Sequence, residues 1–534
     1  MKKIVFVVTL LSIVFVGSAQ QLDDVLYPGQ SCTSIMVGKK ASKDGSVVTS
    51  HTCDGRYRTW VSIEPAKDWE EGSVQKIYKG TMHTISKNDK NGVKEVGEIP
   101  QVAHTFAYLN TAYPCLNEKQ LAIGESTFSG PDTLVNPNNM FMIEELERVA
   151  LMRCSTARDA IKLMGELINK YGYADGGECL TIADTKEVWQ MEICGAGKDQ
   201  PGGVWVAQRV PDDEVAVSCN IPRIGKIDRS NKNYFMVSDN VEEVAKKYGL
   251  WDGQGDFVFW KAYFATYANG KNFREREFFI FNTLAPSLHL NMEMAEIPFS
   301  IKPDEKVDIQ KVMELFRSTF AGTDLDMTQN LKITVNKKDK DGKAYTDTVI
   351  SPIANPWMTN TTLNTFNALN PGTVTFRRTV AVAWCSYSHI IQLRDWLPDE
   401  IGGVCWFSVD NPAESPRIPI FCGTTKLPAA FSRCGQRGYD EQALVWKYRK
   451  ANKLATVAWG RTKNSIEDNV RYYEEKVLND LPALEKQVKQ FKKNNATDDI
   501  RKLLNGYTAD ITGSTINKWG ELEQSYWNAF GLGF

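Results

Sequence analysis

The chain has 534 residues and a formal net charge of −2 at pH 7, from 63 basic and 65 acidic residues. This balance leaves no excess of positive charge with which to bind nucleic acid as a main partner. Hydrophobic residues make up 42% and aromatic residues 11%, as in ordinary globular proteins. The length exceeds what one compact core usually holds, so we expect two or more lobes.

The amino-terminal segment has the pattern of a signal peptide. Lys2 and Lys3 precede an apolar run at residues 4–16, and small residues follow it at Gly17 and Ala19. The run is shorter than the ~20 residues that span a bilayer, although an uncleaved anchor is the alternative interpretation. We predict cleavage of residues 1–19, export to a secreted or periplasmic location, and no membrane association afterwards.

Residues 20–31 are polar and read as a pro-segment, with Pro28-Gly29 just before its end. Cleavage after Ser31 would give Cys32 both a thiol and a free α-amine, a nucleophile and a base on one residue. The two groups titrate near pH 8.5 and pH 8, so proton exchange between them costs little. The sequence leaves open whether Cys32 cleaves the bond itself or another protease does.

Eleven cysteines are present, and export would permit disulfides. Because the number is odd, at least one thiol stays free unless it pairs between chains. Cys179, Cys405 and Cys422 lie in apolar, strand-like runs and are interpreted as buried small hydrophobic residues. With no CxxC pair and only five histidines, we expect no zinc site.

The first elements in chain order are two strands, at residues 33–37 and 46–50. The loop between them contains Asp44-Gly45, a dipeptide typical of hairpin turns. Folding the chain near residue 43 places Cys32 opposite Asp54, although the register is open to a slip of one or two residues. The hairpin thus predicts that Asp54 lies beside the nucleophile.

The following region reads as strands, then helices, then strands, which suits antiparallel sheets packed against helices. Strand-like runs predict strands at 101–109, 121–125, 178–184, 188–193, 204–210 and 215–218. Helical periodicity predicts helices at 141–152 and 156–171, the second capped by Thr156 with Asp159 three residues on.

The remainder of the chain ends in a helical tail. A helix is predicted at 307–320, a hairpin at 331–348 with Asp341-Gly342 in its turn, and strands at 373–384 and 402–408. From about residue 464 the tail is rich in Lys and Glu. Its apolar residues Leu478, Leu481, Leu484 and Val488 recur at helical spacing, which favours packing on the main body over a coiled coil with a partner.

The segment CTSIMVGKKASKDGS at residues 32–46 resembles the start of the mature C69 (formerly U34) dipeptidases, which are N-terminal nucleophile hydrolases. Three further segments are similar to the same family: AIGESTF at 122–128, WLP with IGG at 396–403, and CGTTKLP at 422–428. The resemblance runs to about residue 435. It implies an α+β fold, the αββα sandwich of two antiparallel sheets between helical layers, over residues 32–460 with insertions. A helical region at 461–534 would follow.

The resemblance also implies an activity. Members of the family hydrolyse the amide bond of short peptides through a cysteine that becomes the first residue, which here is Cys32 and would form a thioester intermediate. Two alternatives remain open: an acylase of the choloylglycine hydrolase or penicillin V acylase type, and a catalytically inactive exported binding protein. The mechanism needs no cofactor and no metal, and the expected partner is a dipeptide. A homo-oligomer stays open.

Those acylases are more distant relatives that help to locate supporting residues. Asp54 is similar in position to the acid that orients the nucleophile and its amine, although Asp54-Gly55 is also a good turn dipeptide. The relatives carry Arg three residues before this Asp, where this chain has His51. Because His is mostly neutral at pH 7, it gives no permanent charge to lower the thiol pKa, and we treat it as a substrate-binding candidate.

Two further residues are candidates for stabilising the oxyanion. Asn220, in Cys219-Asn220-Ile221-Pro222, is similar to the Asn-x-Pro of the acylases, whose side chain donates to the oxyanion. Thr127 lies where the relatives place a second donor, a backbone N–H. A turn residue ahead of proline is the alternative interpretation of Asn220.

Charged candidates complete the predicted site. Arg276 is the candidate for the cation near the nucleophile, and Arg274 is an equal choice by spacing; both also fit a surface charge run. Glu125 and Glu178 are acids in strand-like contexts, and either could pair with the free amine of a dipeptide. Ordinary surface carboxylates remain the alternative for both.

Overall fold

The computed structural model describes residues 31–199, 201–268, 271–294 and 296–533. The predicted signal peptide, and the pro-segment up to residue 30, lie outside these ranges. The described part is a mixed α+β fold with several antiparallel sheets and a helical carboxyl-terminal region.

The strands are numbered in chain order. They are β1 (Ser31–Val37), β2 (Val47–Asp54), β3 (Ser62–Glu64), β4 (Lys67–Asp68), β5 (Val74–Lys79), β6 (Lys94–Pro100), β7 (His104–Thr105), β8 (Tyr108–Asn110), β9 (Leu116–Asn117), β10 (Ala122–Thr127), β11 (Gly177–Ala183), β12 (Val188–Gly195), β13 (Gly203–Arg209), β14 (Val215–Ser218), β15 (Phe235–Val237), β16 (Ser300–Ile301), β17 (Lys332–Lys338), β18 (Ala344–Ile350), β19 (Cys385–Leu393), β20 (Val404–Val409) and β21 (Ile418–Phe421).

Within the described ranges the strands form two large sheets and three two-stranded ones. The first large sheet has seven strands in the order β16-β14-β1-β2-β19-β20-β21. The second has eight in the order β15-β13-β12-β11-β10-β9-β8-β3. The pairs β4-β7, β5-β6 and β17-β18 are separate ribbons.

The helices are also numbered in chain order. They are α1 (Ile143–Arg153), α2 (Ala157–Tyr171), α3 (Val241–Lys247), α4 (Phe259–Ala268), α5 (Lys271–Leu284), α6 (Ile309–Phe316), α7 (Asn360–Leu369), α8 (Asp399–Gly402), α9 (Leu444–Ala455), α10 (Trp459–Lys493) and α11 (Thr497–Phe530).

The two large sheets face each other, and helices cover their outer sides. Polar contacts cross the interface: Ser34 Oγ donates to the Glu125 carbonyl at 3.0 Å, and the hydroxyls of Thr49 and Thr181 are 2.7 Å apart. Helices α1 and α2 pack on the eight-stranded sheet, while α5, α6, α9 and α11 pack on the seven-stranded sheet. Side chains of β1 therefore alternate between the other sheet and the helices.

The hairpin β1–β2 forms as predicted, but its register differs by one residue. Cys32 pairs with Cys53, and Asp54 pairs with Ser31. The pairing is centred between residues 42 and 43 instead of on residue 43, and Gly45 in the turn adopts a left-handed backbone with φ of 82°. Because neighbours on a strand point to opposite faces, this one-residue shift separates the Asp54 side chain from the Cys32 thiol.

Most other predicted elements are confirmed, with boundaries shifted by a few residues. Thr156 caps α2, because its Oγ1 accepts from the Asp159 N–H at 3.2 Å. The hairpin β17–β18 and strands β10 to β14 lie where expected. The predicted strand at 101–109 is instead the short strands β7 and β8 after the end of β6, and the predicted helix at 307–320 contracts to α6.

One predicted strand, at residues 373–384, is wrong. That segment has no ladder partner, and the strand is β19, which begins at Cys385 and lies between β2 and β20. The sequence CSYSHIIQL of β19 does not alternate between polar and apolar residues, because all nine residues are buried. A strand covered on both faces lacks the period-two pattern by which strands are recognised.

The cysteines and the tail follow the sequence interpretation in part. All eleven cysteines are free thiols; Cys179 and Cys405 are fully buried, whereas Cys422 is partly exposed. In the tail, Leu481, Leu484 and Val488 are buried in a cluster with the outer face of the seven-stranded sheet, which confirms packing on the main body.

None of the helices in the described ranges is long and apolar enough to cross a membrane.

Candidate active site around Cys32

Cys32 is the second residue of β1, and its thiol points between the two large sheets. The side chain is 1% exposed, and its Sγ donates to Glu125 Oε1 on β10 at 3.3 Å. The backbone N–H donates to Asn220 Oδ1 at 3.0 Å. Strand β10 therefore holds the sulfur of this residue, and the loop after β14 holds its nitrogen.

The thiol is protonated in the uncleaved chain. Burial raises the pKa of the Cys32 thiol well above its usual value, and the neighbouring carboxylate of Glu125 raises it further. Because the nitrogen of Cys32 is still part of the Ser31–Cys32 peptide bond, it can act neither as a base nor as a cation. The uncleaved chain therefore has neither a thiolate nor a free amine at Cys32 with which to begin catalysis.

Arg276, on α5, reaches the same backbone from the helical side of the sheet. It is fully buried and donates to the Cys32 carbonyl, to Thr33 Oγ1 at 2.9 Å and to Asn220 Oδ1 at 2.8 Å. Burial, and secondarily Arg378, lowers the Arg276 pKa to about 10. Arg274, the equal choice by spacing, donates instead to the Met294 carbonyl at 2.6 Å.

Asn220 links these groups to the second sheet. Its backbone has φ of 64°, a left-handed conformation that Asn tolerates better than most residues. Oδ1 accepts from Cys32 and Arg276, and Nδ2 donates to the Thr127 carbonyl at 2.6 Å. The structure therefore brings the two oxyanion candidates, Asn220 and Thr127, into direct contact.

Asp54 lies on the opposite face of the strand pair from the Cys32 thiol. Its Oδ2 accepts from Thr52 Oγ1 at 2.8 Å and forms a buried ion pair with Arg378. Arg378 also donates to Ser31 Oγ at 2.8 Å, so this ion pair borders the bond that precedes Cys32. Sequence reasoning missed Arg378; a pair of arginines inside an expected strand was the available signal.

His51 lies on the nucleophile's face of β2 and is fully buried. Its Nε2 is 3.1 Å from Glu125 Oε1, and the rings of Tyr113, Tyr387 and His389 surround its own ring edge to face. His51 therefore contacts the same carboxylate as the thiol. A substrate could therefore interact with His51 only through the Glu125 carboxylate, or directly after the aromatic side chains move.

Three of these side chains could also hold a metal ion. One donor atom each of Cys32, His51 and Glu125 lie within 4.8 Å of one another. Thiolate, imidazole and carboxylate are the ligands that zinc takes in proteins. The ligands come from three separate strands, so sequence spacing gave no sign of this cluster.

Glu178, on β11, pairs with Thr127 of β10. Thr127 and Glu125 are two residues apart on β10, so Glu178 and Glu125 lie on the same face of the sheet. Burial raises the pKa of Glu178 well above its usual value, and the charge of Glu125 raises it further. One proton shared between two adjacent carboxyl groups avoids two buried negative charges. Neither acid is a surface residue: Glu125 is 0% and Glu178 2% exposed.

Comparison with known proteins places most of the chain in one peptidase family. The profile of peptidase family C69 matches residues 31–472, which is most of the chain. A protein named "Probable dipeptidase B" from Streptococcus pyogenes serotype M1 is 25% identical, covering 89% of this chain and 86% of its own length. A "Probable dipeptidase" from Latilactobacillus sakei is 23% identical over 86% of this chain and 88% of its own length. A "Probable dipeptidase" from Salmonella dublin is 24% identical over 74% and 81%.

These matches define a class of hydrolase. The chain belongs to peptidase family C69 and is a peptidase.

Proposed function

We propose that the protein is an exported dipeptidase in which Cys32, once it is the first residue, attacks the amide bond of a dipeptide. The relatives named as dipeptidases along most of the chain support the activity. Two facing antiparallel sheets between helices support the N-terminal nucleophile hydrolase fold, with the nucleophile at the start of a strand. The polar pro-segment and the signal-peptide pattern support export.

The reaction begins with the Cys32 thiol and the liberated α-amine. The amine takes the thiol proton, and the thiolate sulfur adds to the substrate carbonyl carbon. The tetrahedral intermediate collapses as the amine returns the proton to the leaving nitrogen, which releases the carboxyl-terminal amino acid. Water then adds to the thioester, with the amine as base, and releases the amino-terminal amino acid.

Arg276, Arg378 and Asp54 would together set the basicity of the Cys32 amine. The guanidinium of Arg276, bound to the Cys32 carbonyl, disfavours a second positive charge on the nitrogen and so keeps the amine available as a base. The carboxylate of Asp54 has the opposite effect, and Arg378 in turn limits it. Asn220 Oδ1 holds the nitrogen in place, as it does before cleavage.

The oxyanion would meet donors from Asn220 and Thr127. Nδ2 of Asn220 carries two hydrogens, and its bond to the Thr127 carbonyl uses one of them. The Thr127 N–H is the second donor in this proposal. Removing one such donor typically raises the barrier by about 2.7–4 kcal/mol.

A single observation supports this proposal most strongly: the sulfur and the nitrogen of Cys32 are separately positioned, the sulfur by Glu125 and the nitrogen by Asn220. A buried backbone N–H needs a partner in any protein. Here the partner is a side-chain oxygen, Asn220 Oδ1, which could still accept a hydrogen bond from the nitrogen after the bond to Ser31 is cut.

Amino-terminal sequencing of the exported protein, together with dipeptide turnover, tests the proposal. We expect the mature chain to begin at Cys32 and Cys32→Ser to lose turnover by at least about 1,000-fold, because the hydroxyl is a weaker nucleophile at neutral pH. Active material that begins upstream of Cys32, or full activity in Cys32→Ser, contradicts it. N-acyl amino acids in the same substrate panel identify an acylase instead.

A further inference from the structure

A cavity of about 610 Å³ lies beside the carboxyl-terminal end of β2, outside the cluster around the thiol. Its wall includes Trp384 and Gln436, which hold the residue after Asp54: the Gly55 N–H donates to the Trp384 carbonyl at 3.1 Å, and Gln436 Nε2 donates to the Gly55 carbonyl at 2.8 Å. Asp54 pairs with Ser31 on one edge of β2 and with Cys385 on the other, so this wall lies one strand away from the bond whose cleavage would liberate Cys32.

Arg378 connects the cavity wall to the catalytic strand. Its guanidinium lies 5.7 Å from the centre of the Trp384 ring and also contacts Ser31 and Asp54. A substrate whose scissile carbonyl lay at Cys32 could therefore extend past the position of Ser31 into this cavity. The volume falls within the roughly 300–1,000 Å³ of small-molecule sites.

The side chains that line the cavity give it a positive potential. Four of them are cationic, and none of the lining residues is Asp or Glu. The four are Arg56, Arg437, Arg449 and Lys453. Asp410, which lies outside the lining, pairs with Arg449. Arg56, Arg437 and Lys453 are exposed. Lys453 Nζ donates to the Ala383 carbonyl at 3.1 Å, which keeps its charge at the cavity wall.

Aromatic side chains provide the rest of the surface. Trp357, Trp384 and Trp446 line the cavity together with Phe376. Trp446 Nε1 donates to the carbonyls of Gly435 at 2.7 Å and Gly438 at 2.8 Å, so it fixes the loop that carries Arg437. The cavity thus combines flat apolar surfaces with fixed positive charge.

We propose that this cavity binds the carboxyl-terminal residue of the dipeptide: Arg437 and Lys453 take its free carboxylate, and the tryptophans contact its side chain. This inference rests on the proposed dipeptidase activity and assigns the leaving-group side of that site. A carboxylate one residue beyond the scissile bond is the feature that separates a dipeptide from an amide or a longer peptide. The positive cavity therefore explains a restriction to dipeptides by charge recognition.

Steady-state kinetics with the mature enzyme on Ala-Phe and on its carboxamide tests the assignment. The two substrates differ only in the carboxyl-terminal charge. For Arg437→Ala we expect the ratio of KM for Ala-Phe to KM for the amide to rise about tenfold. Only Ala-Phe loses a charge-assisted hydrogen bond, and a loss of one such bond weakens binding by about that factor. Arg433→Ala is the matched control, because exposed Arg433 pairs with Asp440 and does not line the cavity. It should leave the ratio unchanged.

An unchanged ratio in Arg437→Ala and Lys453→Ala overturns the assignment even when the enzyme hydrolyses both substrates. If the mature protein hydrolyses neither, the dipeptidase proposal fails, and calorimetry decides the assignment separately. N-acetyl-phenylalanine should then bind the wild-type protein about tenfold more tightly than N-acetyl-phenylalaninamide, and Arg437→Ala should remove the difference. Equal binding of the two probes to the wild-type protein overturns the assignment.

Discussion

At the scale of the residue, the thiol of Cys32 is not poised to react while the Ser31–Cys32 bond is intact. Burial and the charge of Glu125 keep the thiol protonated. Cleavage would add an ammonium or amine group to the same residue, and a nearby positive charge favours the thiolate. The same contacts that hold the uncleaved residue, to Asn220 and Glu125, would then hold the catalyst.

The buried pair of Asp54 and Arg378 gives a prediction on stability and rate together. Asp54→Asn should lower the free energy of unfolding by about 3 kcal/mol, because it leaves the Arg378 guanidinium buried without a counter-charge. It should also lower kcat, because the amine must hold the thiol proton as an ammonium before it passes the proton to the leaving nitrogen, and the Asp54 carboxylate favours that ammonium. Urea unfolding and dipeptide turnover measure the two effects.

Asp395→Asn is the control for that experiment. Asp395 pairs with Lys39 at the surface, where the two side chains are 41% and 32% exposed. An exposed pair contributes no more than about 1 kcal/mol, so this variant should unfold and turn over like the wild type. Equal losses in both variants would contradict a special role for the buried pair.

The cluster of Cys32, His51 and Glu125 predicts inhibition by zinc. Added zinc should inhibit the mature enzyme by binding the thiolate, and EDTA should restore the activity. His51→Gln should weaken this inhibition while alkylation of Cys32 still inactivates the variant. EDTA alone should leave the wild type fully active; loss of activity in EDTA would show a metal-dependent peptidase and contradict the thiol mechanism.

The sequence indicated which residues belong to the candidate site better than it indicated how they are arranged. The hairpin brought Asp54 near Cys32, but a one-residue error in the turn put it on the wrong face. The choice between Arg276 and Arg274 needed the orientation of α5, which spacing alone does not give. The adjacent arginines at 377 and 378 were visible in the sequence, but Arg378 comes from a segment without regular structure, so no periodicity places it beside β2.

At the scale of the element, the first turn of α1 carries a carboxyl group that resists ionisation. Glu144 is 1% exposed, and neither of its carboxyl oxygens has a hydrogen-bond partner in the described ranges. Burial, with a further contribution from Glu145, raises the Glu144 pKa to about 8 from 4.5. The native state therefore holds a proton that the unfolded chain loses.

The free energy of unfolding should consequently fall as pH rises between 4.5 and about 8. The contribution of Glu144 is complete below the lower limit and declines by up to about 1.4 kcal/mol per pH unit above it. Glu144→Gln should make this decline shallower by the contribution of Glu144, measured by urea unfolding at the two ends of the window. Other buried acids, such as Glu192 with its pKa raised to about 7, should keep the rest of the decline. Glu166→Gln, at a side chain that is 64% exposed, is the control and should keep the wild-type slope.

Strands with turn residues at both ends could be predicted even when both faces are buried, whereas β19, which has none at its start, could not. The capped helix α2 and the strands β10 to β14 carry clear periodicity or turn residues at their ends. The central strand β19 is buried on both faces and no turn residue marks its start, so the sequence assigned the strand to the preceding segment at 373–384. The layered order of sheets and helices was nonetheless predictable, because it depends on element types and not on boundaries.

At the scale of the whole molecule, the tail helices α10 and α11 act as part of the layer that covers the seven-stranded sheet. Leu484 and Val488 of α10 belong to the same buried cluster as Ile35 of β1, three residues from the nucleophile. Trp519 of α11 is fully buried, and its Nε1 donates to the Glu414 carbonyl at 3.0 Å. A tail joined to the sheet in this way should unfold together with it.

Leu484→Ala tests that coupling. The side chain is 5% exposed, and its truncation should cost about 2–5 kcal/mol of the free energy of unfolding. Because the cluster is continuous, helicity and the accessibility of the Cys32 thiol to alkylation should change in one transition, shifted to lower urea concentration. Leu369→Ala, at a residue that is 80% exposed, should leave the midpoint unchanged. Two separate transitions, with thiol exposure unaffected by Leu484→Ala, would instead show that the tail folds as an independent unit.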